Sequence, residues 1–273
     1  MTSVKLIASD LDRTLLLADS SLPAGIFDRI SALHKAGIEF VAASGRGVYT
    51  LEDLFAPVHD QMSFLAENGG VLKHAGQVVG ATYLTPAQVA DIVNFVRTQP
   101  NVIALGNGLD ATYLDQSERQ YQPELSHFIT RFRIAPDLAR LDAPLAKLSL
   151  YFPKGGAYDA IKPVYVPRFG AELALTVGGP TFIDVMPKTT NKGNGLKQLG
   201  AVLHIAPESM MALGDTNNDI EMMQTVGYPV LVDNATPNMW QYGKYHTKTN
   251  EERGVLEAID RVLAGRLPDK IAQ

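Results

Sequence analysis

Val4-Lys5-Leu6-Ile7-Ala8-Ser9-Asp10-Leu11-Asp12-Arg13-Thr14 is mostly apolar as far as Ser9 and then turns acidic. A short, continuous apolar run predicts a strand buried on both faces, not the alternating pattern of a half-solvated strand. The segments that follow repeat this pattern. Ile26, Ile30 and Leu33 recur at i, i+4 and i+7 with Phe27 beside them. That spacing makes one helix face, with Pro23 in the first turn and Gly37 at the stop. A second apolar run, 38–43, ends on Ser44-Gly45-Arg46, and a third, 62–66, ends on Glu67-Asn68-Gly69-Gly70. Strand, helix, strand, helix, strand predicts a parallel sheet with covering helices.

The texture changes after residue 82. Thr85-Pro86 opens a helix through Val89, Ile92, Val93 and Val96, and short strand candidates follow at 102–105, 111–114, 147–152 and 172–177. Loops rich in Pro and Gly, such as Pro153-Lys154-Gly155-Gly156, separate them. This stretch predicts an α+β module with an antiparallel sheet. The first texture returns with a helix from Lys192, in which Gly193 and Gly195 are poor helix formers. An apolar strand at 210–213 then ends on Gly214-Asp215, a helix begins at Ile220, a strand spans 228–232, and a helix closes the chain at 255–263. The expected organisation is one core from 1–82 and 187–273, interrupted by an insert at 83–186. A chain of 273 residues matches it, since roughly 150 residues make a domain.

Composition removes several classes of function. With 24 Lys and Arg against 29 Asp and Glu, the net charge is −5, so no basic field is available for a nucleic-acid backbone. Cysteine is absent, which excludes disulfides, thiolate nucleophiles and zinc–thiolate or iron–sulfur sites. No apolar run approaches the roughly 18 residues of a membrane span, and the first residues carry no secretory pattern. A soluble, cytoplasmic protein is expected, acting as a monomer or homodimer without a membrane or nucleic-acid partner. Gly106-Asn107-Gly108 lacks the spacing of a dinucleotide-binding loop, no phosphate-binding P-loop occurs, and the six His residues show no metal spacing.

In open α/β sheets, ligands bind beyond the carboxyl ends of the strands. The residues at those ends are Asp10-Leu11-Asp12-Arg13-Thr14, Ser44-Gly45-Arg46, Glu67-Asn68-Gly69 and Gly214-Asp215-Thr216-Asn217-Asn218-Asp219. On an extended end, Asp10 and Asp12 point to the same side. Two unit charges 4 Å apart repel by roughly 4 kcal/mol at an effective dielectric near 20. A convergence of Asp10, Asp12, Asp215 and Asp219 therefore calls for a cation. An oxygen-only set favours a hard one, Mg²⁺ before Ca²⁺. A single Asp after a strand is ordinarily a helix cap or turn residue. The 215–219 run alone would read as such, since it lacks the Gly and distal Glu of a calcium-binding loop.

Together these residues resemble the haloacid dehalogenase-like hydrolases. Asp10-Leu11-Asp12-Arg13-Thr14 is similar to the first family motif, DxDxT, and Ser44 to the second. Lys192-Gly193-Asn194-Gly195-Leu196 resembles the third, and Gly214-Asp215-Thr216-Asn217-Asn218-Asp219 the fourth, GDxxND. Glu67-Asn68-Gly69 and the stretch from Thr249-Asn250 to Gly254-Val255 look like the Cof-type, subclass IIB branch. That branch includes sugar-phosphate, sucrose-phosphate and mannosyl-3-phosphoglycerate phosphatases. The resemblance implies an α/β fold, with a Rossmann-like parallel core, helices on both faces and an inserted α+β cap of C2 type.

The resemblance also implies roles. Asp10 attacks phosphorus, Asp12 serves as acid and base with its carbonyl on Mg²⁺, and Lys192 offsets the charge. Asp215 binds the metal, and Asp219 orients metal waters or Lys192. Ser44, the Gly45 amide, Arg46 and Asn218 lie on the phosphate and substrate side, while Thr14 fixes the loop. Arg46 fits a structural ion pair equally well. The cap reads the leaving group, with Gly178-Gly179-Pro180-Thr181 and Asn107-Gly108 as candidate loops. Arg13 stands where most members of the branch carry Gly, and its guanidinium fits a salt bridge or a contact to an acidic substrate. The implied activity is Mg²⁺-dependent hydrolysis of a small phosphorylated metabolite, a sugar or sugar-acid phosphate, through an aspartyl-phosphate. A phosphomutase or a non-catalytic phospho-ligand sensor is the alternative.

Overall fold

A computed structural model of the chain describes residues 4–127 and 129–271. The chain begins with β1 (Leu6–Ser9), β2 (Glu39–Ala43) and β3 (Ser63–Ala66), followed by the strands β4 (Val71–His74) and β5 (Gln77–Ala81). It then forms β6 (Ile103–Asn107), β7 (Thr112–Asp115), β8 (Phe132–Ala135), β9 (Lys147–Tyr151), β10 (Leu173–Val177) and β11 (Phe182–Pro187). It returns with β12 (Met210–Gly214), β13 (Tyr228–Val232), β14 (Tyr245–Thr247) and β15 (Asp269–Lys270). The principal helices are α1 (Ile26–Lys35), α2 (Val48–Leu54), α3 (Pro86–Val96), α4 (Lys192–Leu203), α5 (Ile220–Thr225) and α6 (Gly254–Leu263).

Two compact units result. The first takes the chain up to Ser44, Leu51–Gly80 and the chain from Asn191 onward; the second takes Gly45–Thr50 and Ala81–Thr190. In the first, the sheet order is β15-β14-β13-β12-β1-β2-β3-β4-β5. The six strands from β14 to β3 are parallel, and β4 and β15 run antiparallel at the flanks. β1 is buried along its whole length, as its apolar run requires. Leu6 and Ala8 pack with Leu196 and Leu199 of α4 and Met222 and Met223 of α5. Strand alternation sends Ile7 to the opposite face. There α1 packs on α6, and Arg29 of α1 grips Asp260 of α6 with two bonds of 2.9 and 2.7 Å.

Strand order reverses between β1 and β12, the point where open α/β sheets bind ligands. The register sets those ends level, since Ser9 pairs with both Leu213 and Ala42. Asp10, Asp215 and Ser44 therefore emerge side by side.

In the second unit the sheet order is β10-β11-β9-β6-β7-β8. It is antiparallel as expected, apart from the parallel pair β7 and β8. α3 starts with a capping box in which Thr85 and Gln88 satisfy each other's backbone amides, with Pro86 in the first turn. Its face of Val89, Ile92, Val93 and Val96 packs on Leu148 and Leu150 of β9. A helical segment at 157–169, absent from the sequence expectation, joins the same core through Tyr165 and Phe169. Its middle, Ile161–Tyr165, is a π-turn at Pro163, which lacks an amide to continue the α-helical ladder.

Among the described residues, no helix is long and apolar enough to cross a membrane.

Candidate active site

β1 delivers the first group. Its hydrogen-bonded edge continues one residue past the strand, where the Asp10 amide donates to the Leu213 carbonyl at 2.9 Å. The chain then turns on the Leu11 carbonyl, which accepts the amides of Thr14, Leu15 and Leu16. This turn buries Thr14 and leaves Asp12 and Arg13 exposed. Thr14 Oγ1 donates to Asp215 Oδ1 at 3.3 Å, joining the β1 loop to the β12 loop.

The β12 loop wraps on itself. Asp219 Oδ2 accepts the amides of Asp215 and Thr216 at 3.0 and 3.3 Å. Gly214 permits this wrap, because a Cβ there would lie 2.6 Å from the same oxygen. Asn218 is half-buried, and its Oδ1 accepts from Thr216 Oγ1. Asn191 caps α4 by accepting the Asn194 amide at 2.8 Å, which places Lys192 on the first helical turn. Gly193 lets α4 approach α5, since a Cβ would meet the Glu221 carbonyl at 2.3 Å.

Lys192 is 0% exposed and lies between two carboxylates. Its Nζ donates to Asp10 Oδ1 at 2.5 Å and to Asp219 Oδ1 at 2.7 Å. Burial alone would favour the neutral amine, but Asp10 and Asp219 outweigh it and hold the ammonium above its ordinary range. Burial, reinforced by Asp219, pushes the Asp10 carboxyl well above the usual carboxylate range. Burial and then Asp219 raise Asp215 to about 6. The pocket thus holds more buried carboxylate than the one ammonium neutralises.

Asp10, Asp215 and Asp219 each offer an oxygen, all within 4.8 Å of one another. Asp215 Oδ2 is buried and accepts no hydrogen bond. Such an oxygen, among buried carboxylates that outnumber the buried ammonium, fits a hard divalent cation. Both oxygens of Asp219 already accept bonds, from Lys192 and from the two amides, which leaves Asp10 and Asp215 as the more open donors. The Asp12 carboxylate is not part of this triad.

Ser44 is buried at the end of β2, its amide donating to the Leu65 carbonyl and its own carbonyl accepting from the Asn68 amide, both at 2.9 Å. Asn68 belongs to a buried left-handed run, with φ of 52°, 55° and 94° at Glu67, Asn68 and Gly69. Gly45 and Arg46 belong by their contacts to the second unit. There Lys147 Nζ donates to the Gly45 carbonyl at 2.6 Å. Asn234 carries no motif that marks it in the sequence, yet it ties two loops together. Its Nδ2 donates to the Arg13 carbonyl at 2.7 Å and its Oδ1 accepts the Asn250 amide at 3.0 Å. Its signal was weak, since an Asn after a strand is usually a plain turn residue.

Residues 7–259 match the haloacid dehalogenase-like hydrolase family. The chain belongs to that family. It is 28% identical over 268 residues to the 5-amino-6-(5-phospho-D-ribitylamino)uracil phosphatase of Escherichia coli (strain K12), covering 97% of this chain and 98% of the relative. It is 26% identical to an HMP-PP phosphatase of Cronobacter sakazakii, covering 86% of each. A solved structure from Streptococcus mutans UA159 superposes with a TM-score of 0.84 at 30% identity, covering 96% and 99% of the two chains. A subclass IIB sugar phosphatase shares the fold, with a TM-score of 0.78 at 18% identity over 95% and 99% of the chains. This haloacid dehalogenase-like hydrolase is a phosphatase of small phosphorylated metabolites, as the Cof-type, subclass IIB resemblance implied.

Proposed function

We propose that the chain hydrolyses a phosphate monoester by passing the phosphoryl group through Asp10, with Mg²⁺ held by Asp10 and Asp215. The burial of Lys192 between Asp10 and Asp219 carries this reading. An ammonium fixed there offsets charge on the nucleophile and on the phosphoryl oxygens without reorganising during the reaction. Asp10 attacks phosphorus, a P–O bond to Asp10 forms, and the P–O bond to the leaving alcohol breaks. Asp12, exposed on the same loop, gives the alcohol its proton. It then takes a proton from water as that water attacks phosphorus, releasing phosphate and regenerating Asp10. Bound Mg²⁺ supplies charge neutralisation for the phosphoryl group and the carboxylates.

On the substrate side, Ser44, Thr14, Asn218 and the Gly45 amide are the proposed phosphate and loop contacts, and Arg46 a substrate contact. The insert at 83–186, which makes up most of the second unit, is the proposed specificity cap. The relatives' names put 5-amino-6-(5-phospho-D-ribitylamino)uracil and HMP-PP first in a substrate panel, followed by sugar and sugar-acid phosphates.

The test is phosphate release across that panel by wild type and Asp10→Asn, with Mg²⁺ and with chelator. Loss of release in the variant and in chelator is expected. Undiminished release by Asp10→Asn eliminates the nucleophile.

A further inference from the structure

Arg13 takes a backbone conformation that favours glycine, with φ of 66°. Contacts with Asn234 hold it there. Asn234 Nδ2 donates to the Arg13 carbonyl at 2.7 Å, and Arg13 Nη2 donates to the Asn234 carbonyl at 3.4 Å. Asn234 is anchored in turn by the Asn250 amide at 3.0 Å. A strained residue this well held is one whose side chain has been placed.

The side chain reaches the acidic triad. Arg13 Nε lies 3.2 Å from Asp215 Oδ2, the buried oxygen that accepts no hydrogen bond. The guanidinium therefore meets that oxygen as a charge and not as an aligned donor. The two ends differ sharply in exposure, with 62% of the Arg13 side chain accessible and 1% of Asp215. A cation tethered at the rim reaches an open oxygen of the triad, and it can turn back into water at small desolvation cost.

We propose that Arg13 competes with the divalent cation for Asp215, occupying Oδ2 until the ion enters and thereby setting the ion concentration at which the site fills. The proposal rests on the reading of Asp10 and Asp215 as cation ligands. Two cations on one carboxylate oxygen repel each other, so the ion's affinity includes the loss of the Arg13–Asp215 attraction. A neutral residue at position 13 removes that competition.

The experiment is calorimetric titration of Mg²⁺ alone into metal-free wild type, Arg13→Gln and Arg13→Gly, with no substrate present. Arg13→Gln keeps a long side chain and the left-handed backbone but lacks the charge, whereas Arg13→Gly also relieves the backbone. Both variants are expected to bind Mg²⁺ about fivefold more tightly than wild type, the scale of one partly exposed ion pair. The gain should shrink as salt is raised, because screening weakens the competing pair. Unchanged or weaker binding by Arg13→Gln overturns the proposal, and tightening confined to Arg13→Gly does the same by assigning the effect to backbone strain. Absence of Mg²⁺ binding in all three proteins, wild type included, refutes the cation-site reading and the proposal with it.

Discussion

Lys192 and Asp215 bear the electrostatic load of the site in opposite ways. Lys192 is an ion-pair partner sealed from water. Removing one member of a buried pair strands the other charges, at about 3–5 kcal/mol. Lys192→Met is accordingly expected to lose that much stability without divalent ion, measured by urea titration. Burial and then the Asp219 charge raise the Asp215 carboxyl to about 6, above the usual carboxylate value of about 4. The folded state therefore binds more protons than the unfolded state between about pH 4 and 6, so stability falls as pH rises through that window. The shift corresponds to at most about 3 kcal/mol. Metal-free wild type should lose stability relative to Asp215→Asn between pH 4 and 6, and saturating Mg²⁺ should diminish the loss. A difference that stays flat with pH would refute the assignment to Asp215. Asp215 was legible as a strand-end carboxylate, because ligands gather beyond the ends of buried strands, whereas Lys192 lies outside those ends and was legible only through the family resemblance. The clamp of Asn234 on Arg13 was not legible, because it joins residues 221 positions apart.

At the scale of elements, the close pairing of α4 and α5 is what positions Lys192. Gly193 looked like a defect in a helix, and a Gly→Ala change within a helix normally stabilises by about 0.5–1 kcal/mol. Here a Cβ would collide with the Glu221 carbonyl. Gly193→Ala is thus expected to be destabilising, and to lower kcat up to about 10²-fold by displacing Lys192. A thermal midpoint above that of wild type would refute this. The parallel strands and their helices were readable because continuous apolar runs and 3.6-residue periodicity both survive in the core. The segment 157–169 was not readable, because Pro163 and Pro167 mask a helix that tertiary packing of Tyr165 and Phe169 maintains. β5 escaped notice for another reason: it is a sheet edge with no buried residue, so its sequence carries no burial pattern. The membership of Gly45–Thr50 in the second unit comes from long-range bonds such as Lys147 to Gly45 and Tyr49 to Thr112. No local pattern encodes those bonds.

At the scale of the whole molecule, the acidic triad lies within one of two units that each have their own core. A ligand that binds only the folded form stabilises by about 2.7 kcal/mol at a hundredfold excess over its dissociation constant. Mg²⁺ should therefore raise the melting of the unit containing β1 and β12, followed by hydrogen exchange in Leu6–Ser9 and Met210–Gly214. Exchange in the second unit's β9 should respond less. Equal protection of both units would contradict a site confined to the first. The central claim is that Asp10 carries the phosphoryl group. It is tested most directly by acid-quenching a single turnover with a processed substrate and sequencing the peptides by mass spectrometry. A phosphoryl adduct on Asp10, absent from Asp10→Asn, is the expected result. Phosphate release with no adduct on Asp10 at any quench time, together with full turnover by Asp10→Asn, would contradict it.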